Sequence, residues 1–404
     1  MKFLHVGDLH IGKQLGGYSL LKDQEFALEG ILALARDRQV DAVVLAGDIY
    51  DKASPSAEAV GLFDRFLTSV SRAGIACLGI PGNHDSAERI AYASGILSEQ
   101  RVYFPATYDG SVTSVELGGE DGKAVFWLLP FLKPAQVRPH FPEADIGTDY
   151  TAACTAALSA CQIDPAKCNV LVAHQFVTAS GSDTQRASDE LNLGGVDNVD
   201  FHVFDAFDYV ALGHVHRAQR VGRDQVRYAG SLLKYSATEV PFAKSVVLVD
   251  VRPKEEGCAV GDCVSFELLP VPVLHDVRKV QGPLEQLLSS EVVASANKDD
   301  YLFVELTDEV PQIDAMRKLQ ASYPHVVSLG YSFDKGEAGL VDVSVEESFD
   351  LDSLDPMELF STFFEAQVGH GLSDEQQGIA CQALRSAREA FAQGEEPWQE
   401  GGRK

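Results

Sequence analysis

Seven side chains able to bind a metal ion, Asp8, His10, Asp48, Asn83, His174, His214 and His216, are spread over more than two hundred residues of this chain. They are carboxylates, an amide and imidazoles, with no cysteine among them. That donor set suits manganese, iron or zinc rather than a thiolate site. Seven donors exceed what one tetrahedral ion takes. They suit two divalent ions about 3.5–4 Å apart that share a carboxylate, the arrangement used for in-line displacement at phosphorus. Such a pair activates water at neutral pH and neutralises charge developing on a phosphate, which reads as a metalloenzyme.

The elements that must position these donors are visible in the apolar pattern. Residues 3–6, 43–46, 76–80, 170–173 and 209–212 read as β-strands, and the donors follow them at their C-terminal ends. Ligands of an α/β sheet gather at that edge, so one rim should receive all seven. Asp8 and His10, like His214 and His216, are spaced i and i+2 and project to one face of an extended segment. Gly7, Gly47, Gly82 and Gly213 each precede a donor, where the backbone must turn sharply or come close to its neighbours.

Alternating strand and helix signals run to about Val210, with a helix over 24–38 and another opening at Ser54 and Pro55, a cap and first-turn pair. Short β runs at 226–228, 245–250 and 264–269 follow, predicting a two-sheet sandwich rather than a dinucleotide-binding open sheet. A boundary falls at Pro270 to Pro272. Residues 273–345 restart as a smaller α/β unit, with a strand at 301–306, a helix from Pro311 to Ser322 and a strand at 326–331. In the last sixty residues, Asp355 to Glu358 and Ser373 to Gln376 look like capping boxes that open two helices. Their apolar faces carry Leu359, Phe360, Phe363, Phe364 and Val368, then Ala380, Ala383, Leu384, Ala387 and Phe391, and suit docking on a partner or on the core.

The segments Gly7 to His10, Gly47-Asp48, Gly82-Asn83-His84-Asp85, Ala173-His174 and Gly213 to His216 resemble, in order, the five motifs of the calcineurin-like metallophosphoesterases. Residues 47–56 (GDIYDKASPS) and 211–219 (ALGHVHRAQ), followed by Tyr228 to Ser231 (YAGS), are similar to one branch, the SbcD-type nuclease subunits. This likeness covers about residues 1–270 well and the remainder in general layout. It implies an α/β fold: a four-layer metallophosphoesterase β-sandwich flanked by helices over 1–270, a small α/β capping domain over 271–345, and a C-terminal helical segment over 346–404. That last segment would dock on the coiled-coil base of an SMC-like ATPase of the SbcC type.

The resemblance assigns Asp8, His10, Asp48 and His216 to one ion, and Asp48, Asn83, His174 and His214 to the other, with Asp48 as the bridge. His84 becomes the catalytic histidine beside the scissile phosphate. The implied activity is a manganese-dependent DNA nuclease, a double-strand 3′ to 5′ exonuclease and single-strand or hairpin endonuclease, in a heterotetramer containing a nuclease dimer. ATP binding would belong to the partner, and this chain lacks a G-x-x-x-x-G-K-[ST] loop. At Asp51, archaeal and eukaryotic relatives carry a second active-site histidine, so that role does not transfer. Two other readings use the same fold: a small-molecule or nucleotide phosphodiesterase, and a catalytically silent adaptor. The domains after residue 270 count against the first, and the complete donor set counts against the second.

The chain has 404 residues, 45% hydrophobic and 9% aromatic, enough for two or three domains with a sizeable core. The absence of an apolar run of about 18 residues, and of a basic, apolar leader after Met1, predicts a soluble cytoplasmic protein. Seven scattered cysteines predict reduced thiols. A formal charge of −27 opposes DNA binding at long range. Either Lys13, Arg89, Arg186, Arg217, Arg220 and Lys234 position the nucleic acid locally, or a partner subunit supplies most of the grip. His5, His140, His202, His275, His325 and His370 read as structural residues.

Overall fold

Strands covered on both faces must be apolar throughout, and Ala42–Ala46, Ala76–Ile80 and Tyr209–Gly213 are buried at every position. The computed structural model describes residues 1–119, 122–179, 197–332, 376–378 and 380. It has two six-stranded sheets. One runs, in spatial order, Val264–Pro270, Ser245–Val251, Lys2–Val6, Ala42–Ala46, Ala76–Ile80, Val102–Tyr103; the other runs Gln219–Val221, Arg223–Tyr228, Tyr209–Gly213, Cys168–His174, Gly122–Leu129, Thr113–Gly119. The central pairs are parallel, with Leu4 opposite Val43 and Val43 opposite Cys77 in one sheet, and Val210 opposite Leu171 in the other.

Three buried clusters separate four layers. Phe3, Val44, Phe126 and Tyr209 belong to the cluster between the sheets, where Phe3 meets Phe126 edge-on at 5.2 Å. Leu28, Ile31, Phe63 and Phe66 from helices Leu21–Asp37 and Ala57–Arg72 cover the outer face of the first sheet. Helix Tyr150–Ser159 covers the outer face of the second through Ala153, Cys154 and Ala157. The expected helix–sheet–sheet–helix sandwich is therefore the fold. A third, three-stranded sheet contains Val277–Gly282, Tyr301–Leu306 and Val326–Tyr331 in that order. By compactness the chain divides into Met1–Gln281 with Glu285–Val304 and Asp314–Leu329, and a second unit of Gly282–Leu284, Glu305–Ile313 and Gly330–Lys404.

Three helix starts differ from the sequence expectation. The first helix begins at Leu21, not residue 24, and its preceding Leu20 has no side-chain cap. Nothing local signals that start; it places Gln24 inward, where Nε2 donates to His10 O at 2.7 Å and Oε1 accepts from Gly12 N at 3.0 Å. The second helix is capped by Ser56, whose hydroxyl accepts from Ala59 N, rather than by Ser54. The third begins at Ala315 instead of Pro311, because Asp314 sits at φ 56°, outside helical geometry. The paired C-terminal helices and Arg186 lie outside the described residues, apart from helical residues 376–378 and 380. No described helix is long and apolar enough to cross a membrane.

His5 ties the two sheets together. Its Nε2 faces Leu212 O at 3.1 Å, which can only accept, so Nδ1 accepts from the Tyr209 hydroxyl at 3.1 Å. Burial lowers its pKa to about 3, against a partial rise from the Leu212 carbonyl. Below the ordinary value near 6.5 the unfolded chain takes up a proton that the folded one refuses. Stability is therefore lost as pH falls from about 6.5 towards 3, by up to about 1.4 kcal/mol per pH unit from this group. His5→Gln should lower the melting temperature at pH 7 yet flatten its decline between pH 6.5 and 4. Parallel declines for variant and wild type would exclude this source of acid sensitivity.

Candidate metal centre

The loops that follow the strand ends are stapled to one another by backbone and side-chain hydrogen bonds. His10 N donates to Asp48 O at 2.9 Å and Leu232 N to Asp8 O at 3.2 Å. Asp8, His10, Asp48 and His214 all have positive φ, at 51°, 44°, 46° and 99°. Non-glycine residues rarely adopt such backbone, each costing about 1–3 kcal/mol, and they cluster where surrounding structure enforces them for function.

All seven predicted donors meet at this rim. Asp8, His10 and His216 bring donor atoms within 4.8 Å of one another, as do Asp8, Asp48 and His174, and also His10, Asp48 and His84. His10 Nε2 is 3.1 Å from His216 Nε2 and 3.6 Å from Asp48 Oδ2, which is 3.2 Å from His174 Nε2. Asn83 Oδ1 lies 3.0 Å from both His174 Nε2 and His214 Nδ1. Asp48 thus stands between the two groups. Its Oδ1 accepts from His84 N at 2.9 Å.

The chemistry fits divalent cations. Asp8 Oδ2 is buried with no hydrogen-bond partner, an expensive state for a carboxylate oxygen without a cation. Burial pushes the Asp8 carboxyl up and the His10 imidazole well down. At His174 burial also depresses the imidazole, but the Asp48 and Asp8 carboxylates override it and raise it to about 9. The same field holds Asp48 below the carboxylate range despite its burial, chiefly through His174. Two buried carboxylates so placed attract positive charge.

Glycine is required at three of the four expected positions, for a reason more specific than backbone freedom. A Cβ on Gly82 would lie 2.1 Å from Asp48 Oδ1, on Gly47 2.2 Å from His174 Nδ1, and on Gly213 1.8 Å from Ala46 O. At Gly7 nothing is nearer than 3.5 Å. Gly213→Ala should therefore displace the Ala46 carbonyl, and with it His174, whose Nδ1 that carbonyl holds at 2.7 Å, and cost about 1–3 kcal/mol or more, while Gly7→Ala stays within about 1 kcal/mol of wild type. Thermal melts of the metal-free proteins check this, and equal effects would remove the steric argument.

His84 sits at the opening, exposed, with Nδ1 3.0 Å from Asp51 O and its ring edge-on to His10 at 4.9 Å. Since the carbonyl only accepts, Nδ1 carries the proton and Nε2 the lone pair. The Asp51 side chain accepts from Lys13 Nζ at 3.0 Å.

Several residues important to this geometry were not singled out from the sequence. Asp85 accepts from Gly82 N, Ile49 N and Tyr50 N, each at 2.9 Å, and so locks two donor loops together. Burial, then the Asp48 charge, raises its carboxyl to about 6. Gln24 braces the Asp8–His10 loop, and Glu239 and Lys244 stand behind His216. Asp85 lies in the third motif and was open to notice; Gln24, Glu239 and Lys244 have no motif of their own.

Among the proposed positioning cations, Lys13, Lys234 and Arg220 pair with Asp51, Asp276 and Asp224 at 3.0, 2.8 and 2.9 Å, and Arg217 stacks over Phe242. Of the histidines expected to be structural, His202 meets Asp205, His275 meets Asp23, His325 meets Asp299 O, and His140 packs edge-on to Tyr108. His370 lies outside the described residues.

Residues 1–218 match the calcineurin-like phosphoesterase family, and with this sandwich and rim of donors the chain is a metal-dependent phosphodiester hydrolase of that class. Within it the chain belongs to the SbcD family. It is 31% identical over 341 residues to the SbcD component of the SbcCD nuclease of Staphylococcus epidermidis, covering 83% of this chain and 87% of that protein. Residues 273–368 match the family described as the type 5 capsule protein repressor C-terminal domain. Among solved structures, TT1561 of Thermus thermophilus aligns over 67% of this chain and 99% of its own, at 16% identity and a TM-score of 0.40. A dimetal phosphatase from Danio rerio aligns over 67% and 99%, at 12% identity and a TM-score of 0.38.

Proposed function

We propose that this chain is the nuclease subunit of an SbcCD-type complex and hydrolyses DNA phosphodiester bonds with two divalent ions, manganese in preference. Asp8, His10, Asp48 and His216 would hold one ion, and Asp48, Asn83, His174 and His214 the other, with Asp48 shared. Bound there, the ions would activate water and neutralise charge on the phosphate. His84, at the mouth with Nδ1 held by Asp51 O, would when doubly protonated donate from Nε2 to a phosphate oxygen and so orient it, or give the Nε2 proton to the departing oxygen. The observation that carries this reading is the convergence of all seven donors and His84 on one rim.

The finer activities, double-strand 3′ to 5′ exonuclease and single-strand or hairpin endonuclease, belong to the same proposal, as do end processing in repair, recombination and replication in the cytoplasm. So do the organisation into a nuclease domain over 1–270, a capping domain over 271–345 and an SbcC-binding segment over 346–404, and assembly as a heterotetramer containing a nuclease dimer. The match of residues 273–368 to a separate domain family supports a boundary near 270. Because three of the candidate positioning cations are already paired with carboxylates in a chain of net charge −27, much of the DNA grip falls to the ATPase partner.

The deciding experiment is manganese-dependent digestion of linear duplex DNA with and without an SbcC-type ATPase, beside a small phosphodiester. Cleavage of DNA, increased by the partner, is expected. Rapid turnover of the small ester with intact DNA in both conditions would overturn the nuclease reading. Removal of residues after 348 should abolish co-purification with the ATPase.

A further inference from the structure

Behind His216 lies a buried polar network that no metal assignment uses. Glu239, 1% exposed, places Oε1 3.2 Å from His216 Nδ1. Its Oε2 lies 3.0 Å from Ser231 Oγ and accepts from Lys244 Nζ. That ammonium, itself on a residue only 8% exposed, donates to Ser231 Oγ at 2.7 Å and to the His216 carbonyl at 2.8 Å. Backbone N–H of Tyr235 and the Ser236 hydroxyl also reach Glu239 Oε1, at 3.3 and 3.2 Å. His216 is thus gripped at its ring by the carboxylate and at its backbone by the lysine.

Burying such an ion pair costs desolvation that hydrophobic residues of similar volume would avoid, so stability alone is a poor account of it. What it accomplishes is geometric. A carboxylate only accepts, so the proton of the imidazole stays on Nδ1 and Nε2 presents its lone pair to the rim, where it lies 3.1 Å from His10 Nε2. His174 is backed differently, by the neutral Ala46 carbonyl, 2.7 Å from its Nδ1. A carboxylate behind a histidine fixes its orientation and makes the outer nitrogen a stronger donor than a carbonyl does.

We propose that Glu239, held in place by Lys244, is a positioning residue that orients His216 and makes the ion position of Asp8, His10 and His216 the tighter of the two. This rests on the two-ion assignment above. The asymmetry predicts sequential loading, with the His216 position filled first.

Calorimetric titration of the metal-stripped full chain with Mn²⁺ tests it. Wild type should show two affinity classes. Glu239→Gln, which keeps the shape but not the charge, should weaken the tighter class by about 10- to 100-fold and leave the weaker one unchanged. Because Glu239→Gln leaves Lys244 buried without its counter-charge, the pair Glu239→Gln with Lys244→Met is measured beside it. The double variant should melt within a few degrees of wild type when metal-free and show the same selective loss. Two unchanged affinities in a folded variant, an equal fall in both classes, or failure of both variants to fold would each overturn the proposal, the last marking the network as purely structural. Asp48→Asn separates the two levels. If it too leaves both affinities at wild-type values, the metal assignment is wrong; if it lowers them while the Glu239 variants do not, only the positioning role is.

Discussion

Asp48→Asn is expected to abolish divalent-ion-dependent phosphodiester cleavage, with a loss of at least about 10³-fold, or roughly 4 kcal/mol of transition-state stabilisation. The carboxylate is 2% exposed and stands between the two donor groups, Oδ2 lying 3.2 Å from His174 Nε2 and 3.6 Å from His10 Nε2. Asparagine preserves its volume and can still accept from His84 N through Oδ1, so the loops should keep their shape. What disappears is the negative charge that both proposed ion positions share. Without it His174 also loses the leading influence that raises its imidazole. Initial rates on linear duplex DNA and on bis(p-nitrophenyl) phosphate with manganese, together with a manganese titration, check this. A rate within tenfold of wild type would remove Asp48 from the shared position.

His84→Ala is the second large effect, and it should separate chemistry from metal binding. The imidazole is exposed, and its Nδ1 is tied to Asp51 O at 3.0 Å. The hydrogen bond that holds Asp48 comes from the His84 backbone, which alanine retains. Manganese affinity should therefore stay close to wild type while kcat falls by about 10²- to 10⁴-fold, the range for loss of a positioned acid or base. Leaving groups divide its two possible roles. p-Nitrophenolate departs without a proton, so a histidine acting as an acid is missed far more on DNA than on the nitrophenyl ester; one that only orients phosphate is missed on both. Preserved turnover on both substrates would take His84 out of the mechanism.

Much of this site was legible along the chain because each donor ends or follows a strand, and the parallel pairings bring those strand ends to one rim. Apolar runs specify a strand through local periodicity, and its C-terminal end is then known whichever partner it takes. The helix starts were less legible. A serine that caps is marked only by where its hydroxyl finds an amide, which is why Ser56 rather than Ser54 opens its helix. Leu20 offers no capping side chain at all, and the start at Leu21 answers to the burial of Gln24 against the Asp8–His10 loop.

By itself the sequence determined the candidate donor set, its order, the alternation of strands and helices, and hence the two-sheet phosphoesterase architecture, since residue type and local periodicity are properties of the chain. Only the tertiary structure decided what supports those donors. Asp85 gathers three amides from two loops, Glu239 reaches His216 across 23 residues, and Gly213 leaves room for the Ala46 carbonyl from the opposing sheet. It also decided that Lys13 and Lys234 face the carboxylates of Asp51 and Asp276. These are relations of distance between segments far apart in the chain, and no local propensity encodes them.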